Sequence, residues 1–407
     1  MGVNSYLVTK QAKDCSGCGA CAFACPTGAI EMREDCYGFP YPEIDANKCI
    51  QCNKCLRSCH MQVCDDLKHD EPLACYGAID IDASSLRKSA SGGVATALSR
   101  FTVDSGGVVF GCVAERDDVH HERLSDDDGL KRAQGSKYVQ SDLSRAFLPM
   151  KGDLKAGRDV LFIGTPCQCA AMRTLFGKYD NLFTVDLVCE GTPNRRMYRD
   201  FLNSIERECG ERVTDFRFRD KRRGWSTKNP LVLGKDEMPA GKQPHSYHYY
   251  YYYFFTKALT LRESCYSCPY ACRGRVADVT IGDLWGAETS GLGYGLKELK
   301  AGISCVLVNT EHGLNALDTC ELALRSCSFD IIARSNHCLE KPSVCNKEQR
   351  SRVLEAYAHD GSDGMMGEYE LIFSKTSRIK ACVITALPLH VRIFLKRLKT
   401  TIRGGGR

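Results

Sequence analysis

Cysteine spacing is the first feature of this sequence with chemical content. Cys15, Cys18, Cys21 and Cys25 follow C-x2-C-x2-C-x3-C, with Pro26 behind the last. Cys49, Cys52, Cys55 and Cys59 repeat that spacing, with His60 in place of the proline. Three thiolates on such a loop wrap three corners of a 4Fe-4S cubane, and the fourth cysteine of each run ligates the other cluster in two-cluster proteins. The pattern predicts one cluster on Cys15, Cys18, Cys21 and Cys59, and another on Cys49, Cys52, Cys55 and Cys25. A single run would also suit zinc or coincidence; two copies with identical spacing do not. A chain with two such clusters handles single electrons.

Further cysteines point to a second redox centre. Val160 to Ile163 reads as a strand, Gly164-Thr165-Pro166 as a turn, and Cys167 opens a helical pattern. A second strand, Leu182 to Val188, ends at Cys189. A strand–helix–strand unit makes two parallel strands with a right-handed crossover. Both thiols then lie past the carboxyl ends of neighbouring strands, the rim where open α/β sheets bind ligands. Downstream comes Cys265-x2-Cys268-x3-Cys272. A C-x2-C pair suits half a cluster, a zinc ion or a redox disulfide. With eight iron–sulfur cysteines upstream, the favoured reading is a third 4Fe-4S cluster on Cys167, Cys189, Cys265 and Cys268. Cys272 is the substitute for either rim cysteine, and Cys169 reads as a buried small hydrophobe. The C-x3-C-x2-C triad of radical enzymes is absent, and the spacing at Cys265, Cys268 and Cys272 is its reverse.

The elements that must position these groups follow from the pattern. At 407 residues the chain exceeds one ordinary domain. Residues 1–64 form the ferredoxin-like module, and Asp65 to Glu71, ending at Pro72, reads as a linker. A larger domain occupies residues 72–355, in two parts, 72–155 and 156–355. Its short apolar strand candidates are 74–81, 107–114, 159–163, 182–188, 278–284 and 303–309, with helices over 92–104, 167–178 and 195–209 between them. The predicted fold class is α/β (α+β): a bacterial-type ferredoxin module, then a larger mixed-sheet α/β domain. The aromatic run His245 to Phe255 reads as core, and Gly291 to Gly295 as a loop, since Leu296 stands where a dinucleotide fingerprint needs glycine.

Composition narrows the function. Met1 to Lys10 lacks an apolar signal region, and no run of eighteen apolar residues exists. Twenty-five cysteines without a secretion signal indicate metal binding in the cytoplasm rather than disulfides. The net charge of +5 is confined to the end: residues 371–407 hold nine Lys/Arg and no Asp/Glu, leaving −4 for the remainder. The body is therefore no nucleic-acid binder by charge. The basic tail, residues 356–407, mixes apolar and cationic residues; peripheral contact with a membrane surface and a solvated flexible end are the two readings.

Six motifs occur in order: Ser91-Gly92-Gly93, Gly135-Ser136-Lys137-Tyr138-Val139-Gln140-Ser141, Gly164-Thr165-Pro166-Cys167-Gln168, Asp186 to Gly191, Phe218-Arg219-Asp220-Lys221 with Gly224-Trp225, and Asp278 with Ile281 to Gly286. Over residues 1–355 the chain resembles the beta-subunit family of coenzyme F420-reducing hydrogenases and F420-linked dehydrogenases, in which a ferredoxin-like module in front is familiar. The resemblance implies a flavin, FAD, beside a 4Fe-4S cluster, in a flavin-binding domain. It departs at Glu190, where the family motif has His, and this puts proton transfer from that position in question.

A flavin makes chemical sense here, because clusters move one electron and hydride needs two. Ser91, Gly92 and Gly93 ahead of a helix, and Gly135, Ser136 and Lys137, are the candidates for its pyrophosphate; helix capping and close packing are the competing reading. Asp278, Asp283 and Glu190 are candidate proton carriers, and Arg273 and Arg275 candidate anion binders, with structural hydrogen bonding and surface pairing the ordinary roles. No catalytic residue is assigned. The expectation is an oxidoreductase that takes electrons from ferredoxin or a redox partner subunit and exchanges hydride with a small organic molecule, coenzyme F420 being one candidate. The alternative is a non-catalytic electron-transfer adaptor of a larger redox complex.

Overall fold

The computed structural model describes residues 5–374 apart from 223, 227, 228, 242, 244 and 245, together with residues 376 and 391. The two cysteine loops repeat each other in backbone as well as in spacing. Gly17 and Gly19 adopt φ of 70° and 77°, and the equivalent positions of the second loop, Gln51 and Asn53, adopt 54° and 55°. These left-handed turns bring successive cysteines round to one side, and glutamine takes that conformation only where surroundings impose it. Between the loops lies an antiparallel pair, β1 (Ile30–Glu34) and β2 (Pro40–Ile44).

The larger body is built on β3 (Ala74–Asp80), β4 (Val108–Glu115), β5 (Asp118–Leu124), β6 (Val160–Gly164) and β7 (Leu182–Leu187). A small separate pair follows, β8 (Asp215–Arg217) and β9 (Leu231–Leu233), and then β10 (Val279–Asp283), β11 (Ser304–Val308) and β12 (Leu322–Ser326). The main sheet runs β12-β3-β11-β10-β7-β6-β4-β5. Its centre, β10-β7-β6-β4, is parallel; the pairs on either side are antiparallel. All six expected strands form. The two additional ones, β5 and β12, are the edges of the sheet. Their mixed sequences, Asp-Val-His-His-Glu-Arg-Leu and Leu-Ala-Leu-Arg-Ser, lack the continuous apolar run of the central strands, although Val119, His120 and His121 of β5 are buried and its outer edge is bridged to Asp142.

Apolar residues of the central strands pack against the helices Val94–Asp104 and Glu311–Thr319 on one face. The aromatic run forms the helix Tyr250–Thr256, and Tyr250 through Phe255 are buried against the helix Arg195–Cys209. The N-terminal module joins the same cores. Phe39 and Tyr41 enter the aromatic cluster, and Phe23 stacks on Phe147 at 4.9 Å. The expected linker is pinned rather than loose: His69 donates its N–H to the Arg275 carbonyl at 2.8 Å and its ring meets Arg173 at 2.7 Å.

The boundary expected at residue 355 falls inside the helix Lys347–Ile372, which kinks at Gly361. Tyr357, Met365 and Tyr369 are buried, so residues 356–372 belong to the body. The basic remainder of the expected tail lies almost wholly outside the described residues. Among the described residues, no helix is long and apolar enough to cross a membrane.

Candidate functional site

The first thiol group is assembled by burial. The Cys18 thiol is pushed up to about 12 by burial, with repulsion from Cys15 and Cys59 adding to it. Cys21 is raised the same way, and Cys18, Cys15 and Cys59 act on it. Cys59 of the second run thus sits with the first run. Conversely, Cys55 is raised by burial and then by Cys25 and Cys52, so Cys25 has crossed to the second loop, which Cys49 begins. Backbone donors point at the sulfurs: Gly17 N–H at Cys15 Sγ, 3.3 Å, and Ala29 N–H at Cys25 Sγ, 3.2 Å. Such donors favour thiolate and help set a cluster's potential.

The third group forms at the rim. Gly164 of β6 pairs with Asp186 of β7, and Leu187 with Ile281 of β10, so three parallel strands end together. Pro166 starts the helix Pro166–Phe176 and puts Cys167 in its first turn. Cys189 lies two residues beyond β7. Burial pushes Cys167 up to about 12, and repulsion from Cys268 and Cys265 contributes. Cys189 is raised well above its ordinary value by burial, then by Cys265, Cys167 and Cys268. The four residues expected to act together are therefore neighbours. Cys272 is turned aside, its thiol donating to the Gly274 carbonyl at 3.0 Å. Cys169 is buried on the same helix.

Among the described residues no three His, Cys, Asp or Glu side chains converge to hold a single metal ion. A cubane holds its thiolates around four separate corners, wider apart than the ligands of one ion. Half-buried thiols that repel one another, with backbone donors aimed at the sulfurs, fit a thiolate-bound metal centre.

His60 explains its own place in the repeat. It is buried and held neutral, its pKa drawn down to about 4 by burial. Its ring bridges Ser16 Oγ at 2.8 Å and Tyr270 Oη at 2.6 Å. Tyr270 in turn is raised well above its ordinary value by burial, and Cys167, Cys64, Cys268 and Cys18 all lie near enough to add to it. Thiols of the first and third groups thus both lie near one tyrosine.

A cavity of about 960 Å³ opens beside the third group, and Cys189 is in its wall. Ser91, Gly93, Gly135, Ser136 and Lys137 line it, and Gly92 does not. Gly92 packs on the sheet, donating to Ser304 Oγ at 2.9 Å, and a side chain there would collide with the Ala78 carbonyl. Ser91 Oγ donates to the Ile303 carbonyl at 2.9 Å, so the helix cap is Gly93 instead. Gly135, at φ 82°, has open space where a side chain would stand. Lys137 departs from its expected role. Its ammonium donates to the carbonyls of Arg132, Ala133 and Gln134, closing the end of the helix Asp127–Ala133. All three of its protons are used there. Two other polar atoms of the wall, Arg219 Nε and Gln134 Oε1, are buried with no hydrogen-bond partner among the described residues.

One wall is aromatic. Trp225 and Trp285 stack at 4.7 Å, Arg219 lies over Trp285, and Asp283 binds Arg219 at 2.6 and 2.8 Å and Trp225 Nε1 at 3.1 Å. Asp283 is thus a structural acceptor at the cavity, while Glu190 lines it next to Cys338. Asp278 binds Thr184 and Thr310, Arg275 is buried on Asp186 at 3.1 Å, and Arg273 pairs with Glu71 and Asp330 at the surface. These three hold the fold.

Along the cavity wall a polar chain links Gln168 and Ser141, both within the motifs above, to His121, which carried no signal in the sequence. Gln168 donates to Ser141 Oγ at 2.9 Å, Ser141 meets His121 Nδ1 at 3.0 Å, and His121 Nε2 donates to the Ile163 carbonyl at 2.9 Å. Burial draws the His121 pKa down to about 4, so the folded protein binds fewer protons there than the unfolded chain between that value and about 6.5. Stability falls as pH drops through that window, by about 3 kcal/mol at its acid end. His121→Gln is expected to flatten this part of the denaturation-midpoint profile against pH; an unchanged slope counts against it.

Residues 157–326 match the family model for the C terminus of the coenzyme F420 hydrogenase/dehydrogenase beta subunit, and residues 14–63 match a 4Fe-4S dicluster domain. None of the curated proteins compared matches the chain. Among solved structures, the xenon-derivatised F420-reducing NiFe hydrogenase complex from Methanosarcina barkeri matches at 16% identity, covering 76% of this chain and 95% of that one, with a TM-score of 0.39. The chain thus carries, in order, a match to a 4Fe-4S dicluster domain and a match to the C terminus of the coenzyme F420 hydrogenase/dehydrogenase beta subunit.

Proposed function

We propose that the chain is an iron–sulfur flavoprotein oxidoreductase. It exchanges single electrons with ferredoxin or a redox partner subunit at its N-terminal module, and hydride with a small organic molecule in its cavity. The carrying observation is Cys189, which belongs both to the third thiol group and to the cavity wall. Cys167, Cys189, Cys265 and Cys268 would hold a third 4Fe-4S cluster. The cavity would hold FAD: its volume suits a cofactor of that size, and Arg219 Nε and Gln134 Oε1 await a polar partner. Gly93, Gly135 and Ser136 would face the pyrophosphate, Gly93 at the start of a helix. A flavin supplies the exchange between one-electron and two-electron chemistry.

The chain's own residues do the rest. Trp225 and Trp285 stack in the cavity wall and would shield a bound ring from water. Glu190 lies at that wall beside Cys338, whose thiol meets His337 Nε2 at 3.3 Å. These are the groups that can hold or accept a proton next to a bound molecule, and coenzyme F420 is the candidate substrate that the family brings. Chain purified anaerobically is expected to contain about twelve irons and one flavin. About eight irons with no flavin would sink the proposal and leave an electron-transfer adaptor.

A further inference from the structure

Arg262 is the largest fully buried side chain, at 1% exposure. Two other buried arginines have carboxylates, Arg219 on Asp283 and Arg275 on Asp186. Arg262 takes part in no ion pair among the described residues, and its sequence neighbour Glu263 pairs with Arg350 at 3.1 Å. A buried cation without an anion is costly, so a stable fold supplies one.

The surroundings show which anions are in reach. Nε donates to the Cys15 carbonyl at 2.7 Å, Nη2 to the Pro40 carbonyl at 2.5 Å, and Nη1 to Gln140 Oε1 at 3.2 Å. Nη2 also stands 3.7 Å from Cys15 Sγ. The rings of Tyr41 and Phe39 cover the guanidinium at 4.4 and 5.8 Å. On the other side, the Arg262 carbonyl accepts the Cys265 N–H at 3.0 Å, and the Arg262 N–H binds the Thr192 carbonyl at 3.0 Å. The backbone of Arg262 is therefore tied to the third thiol group and its guanidinium lies on the first. The first cysteine loop makes room for it. A side chain at Gly17 would stand 2.6 Å from Nη1, whereas the equivalent Gln51 of the second loop is exposed.

We propose that Arg262 is the shared counter-cation of two clusters, the one on Cys15, Cys18, Cys21 and Cys59 and the one on Cys167, Cys189, Cys265 and Cys268. This rests on the reading of those cysteines as cluster ligands. A fixed positive charge between two anionic clusters stabilises each more after it gains an electron, so it raises both potentials. It also ties the Cys15 loop to the segment that carries Cys265, as a positioning residue for electron transfer. The cluster on Cys49, Cys52, Cys55 and Cys25 does not touch it and serves as an internal reference.

The test is a redox titration followed by electron paramagnetic resonance on anaerobically prepared full-length chain, with iron counted in every sample. In Arg262→Gln, two of three potentials are expected to fall by at least a factor of ten in the reduction equilibrium, which is about 59 mV for one electron. The third should stay, and Arg262→Lys should show a smaller fall. Gln140→Glu keeps Arg262 and gives it the carboxylate it lacks; both potentials should fall there too, and this variant decides if Arg262→Gln fails to load iron. Unmoved potentials at full iron content would overturn the role of Arg262. Wild-type chain with about eight irons would instead overturn the third cluster itself.

Discussion

Replacing Cys189 with alanine is expected to lower the iron content from about twelve to about eight atoms per chain, with the N-terminal signals intact. Three features make the effect large. Cys189 is fixed by backbone, at the end of β7 with its sulfur accepting the Gly191 N–H at 3.4 Å. Its neighbours Cys167, Cys265 and Cys268 are half-buried, and a cluster missing one corner exposes iron to exchange. The spare thiol cannot step in, because Cys272 points at the carbonyls of Pro269 and Gly274. Cys272→Ala is accordingly expected to keep all the iron. Gly191→Ala should resemble Cys189→Ala. Its φ is 114°, and a methyl group would stand 2.9 Å from Cys265 Cβ and 2.7 Å from Leu261 Cδ1. Forcing such a residue costs about 1–3 kcal/mol before the clash is counted. Iron analysis of the three variants checks this; four irons lost from Cys272→Ala instead of Cys189→Ala would reassign the ligand.

What could be read from the letters, and what could not, divides along physical lines. Ligand spacing within a loop is local, so Cys15 to Cys25 and Cys49 to Cys59 announce themselves. Cys167 and Cys189 were legible because strand, turn and helix signals place them on one rim, and the register of β6 and β7 bears that geometry out. Strands buried in the sheet were legible as apolar runs; β5 and β12, which mix polar with apolar residues, were not. Lys137 shows the limit of reading a cation as a phosphate ligand: the helix end four residues earlier takes its protons first. Arg262 and His121 had no local signal, since their roles arise from contacts 247 and 42 residues away in sequence.

Asp283→Asn keeps the shape of the side chain and removes its charge, which leaves Arg219 buried without an anion. Breaking a buried pair from one side costs about 3–5 kcal/mol, so the unfolding midpoint should drop markedly. Flavin should be lost with it, because the same carboxylate holds Trp225 against Trp285. Iron should stay, since Cys167, Cys189, Cys265 and Cys268 do not depend on this pair. Stability and binding can then be pulled apart. Replacing both partners, Arg219→Met with Asp283→Leu, removes the unpaired charge and is expected to return most of the stability. Flavin should not return, because Arg219 Nε, a buried donor with no partner among the described residues, is then missing from the wall. Flavin absorbance per chain, measured beside the unfolding midpoint, checks both parts. A double variant that regains stability and flavin together would mean that the wall acts only as scaffold, and that the ligand takes its hydrogen bonds elsewhere.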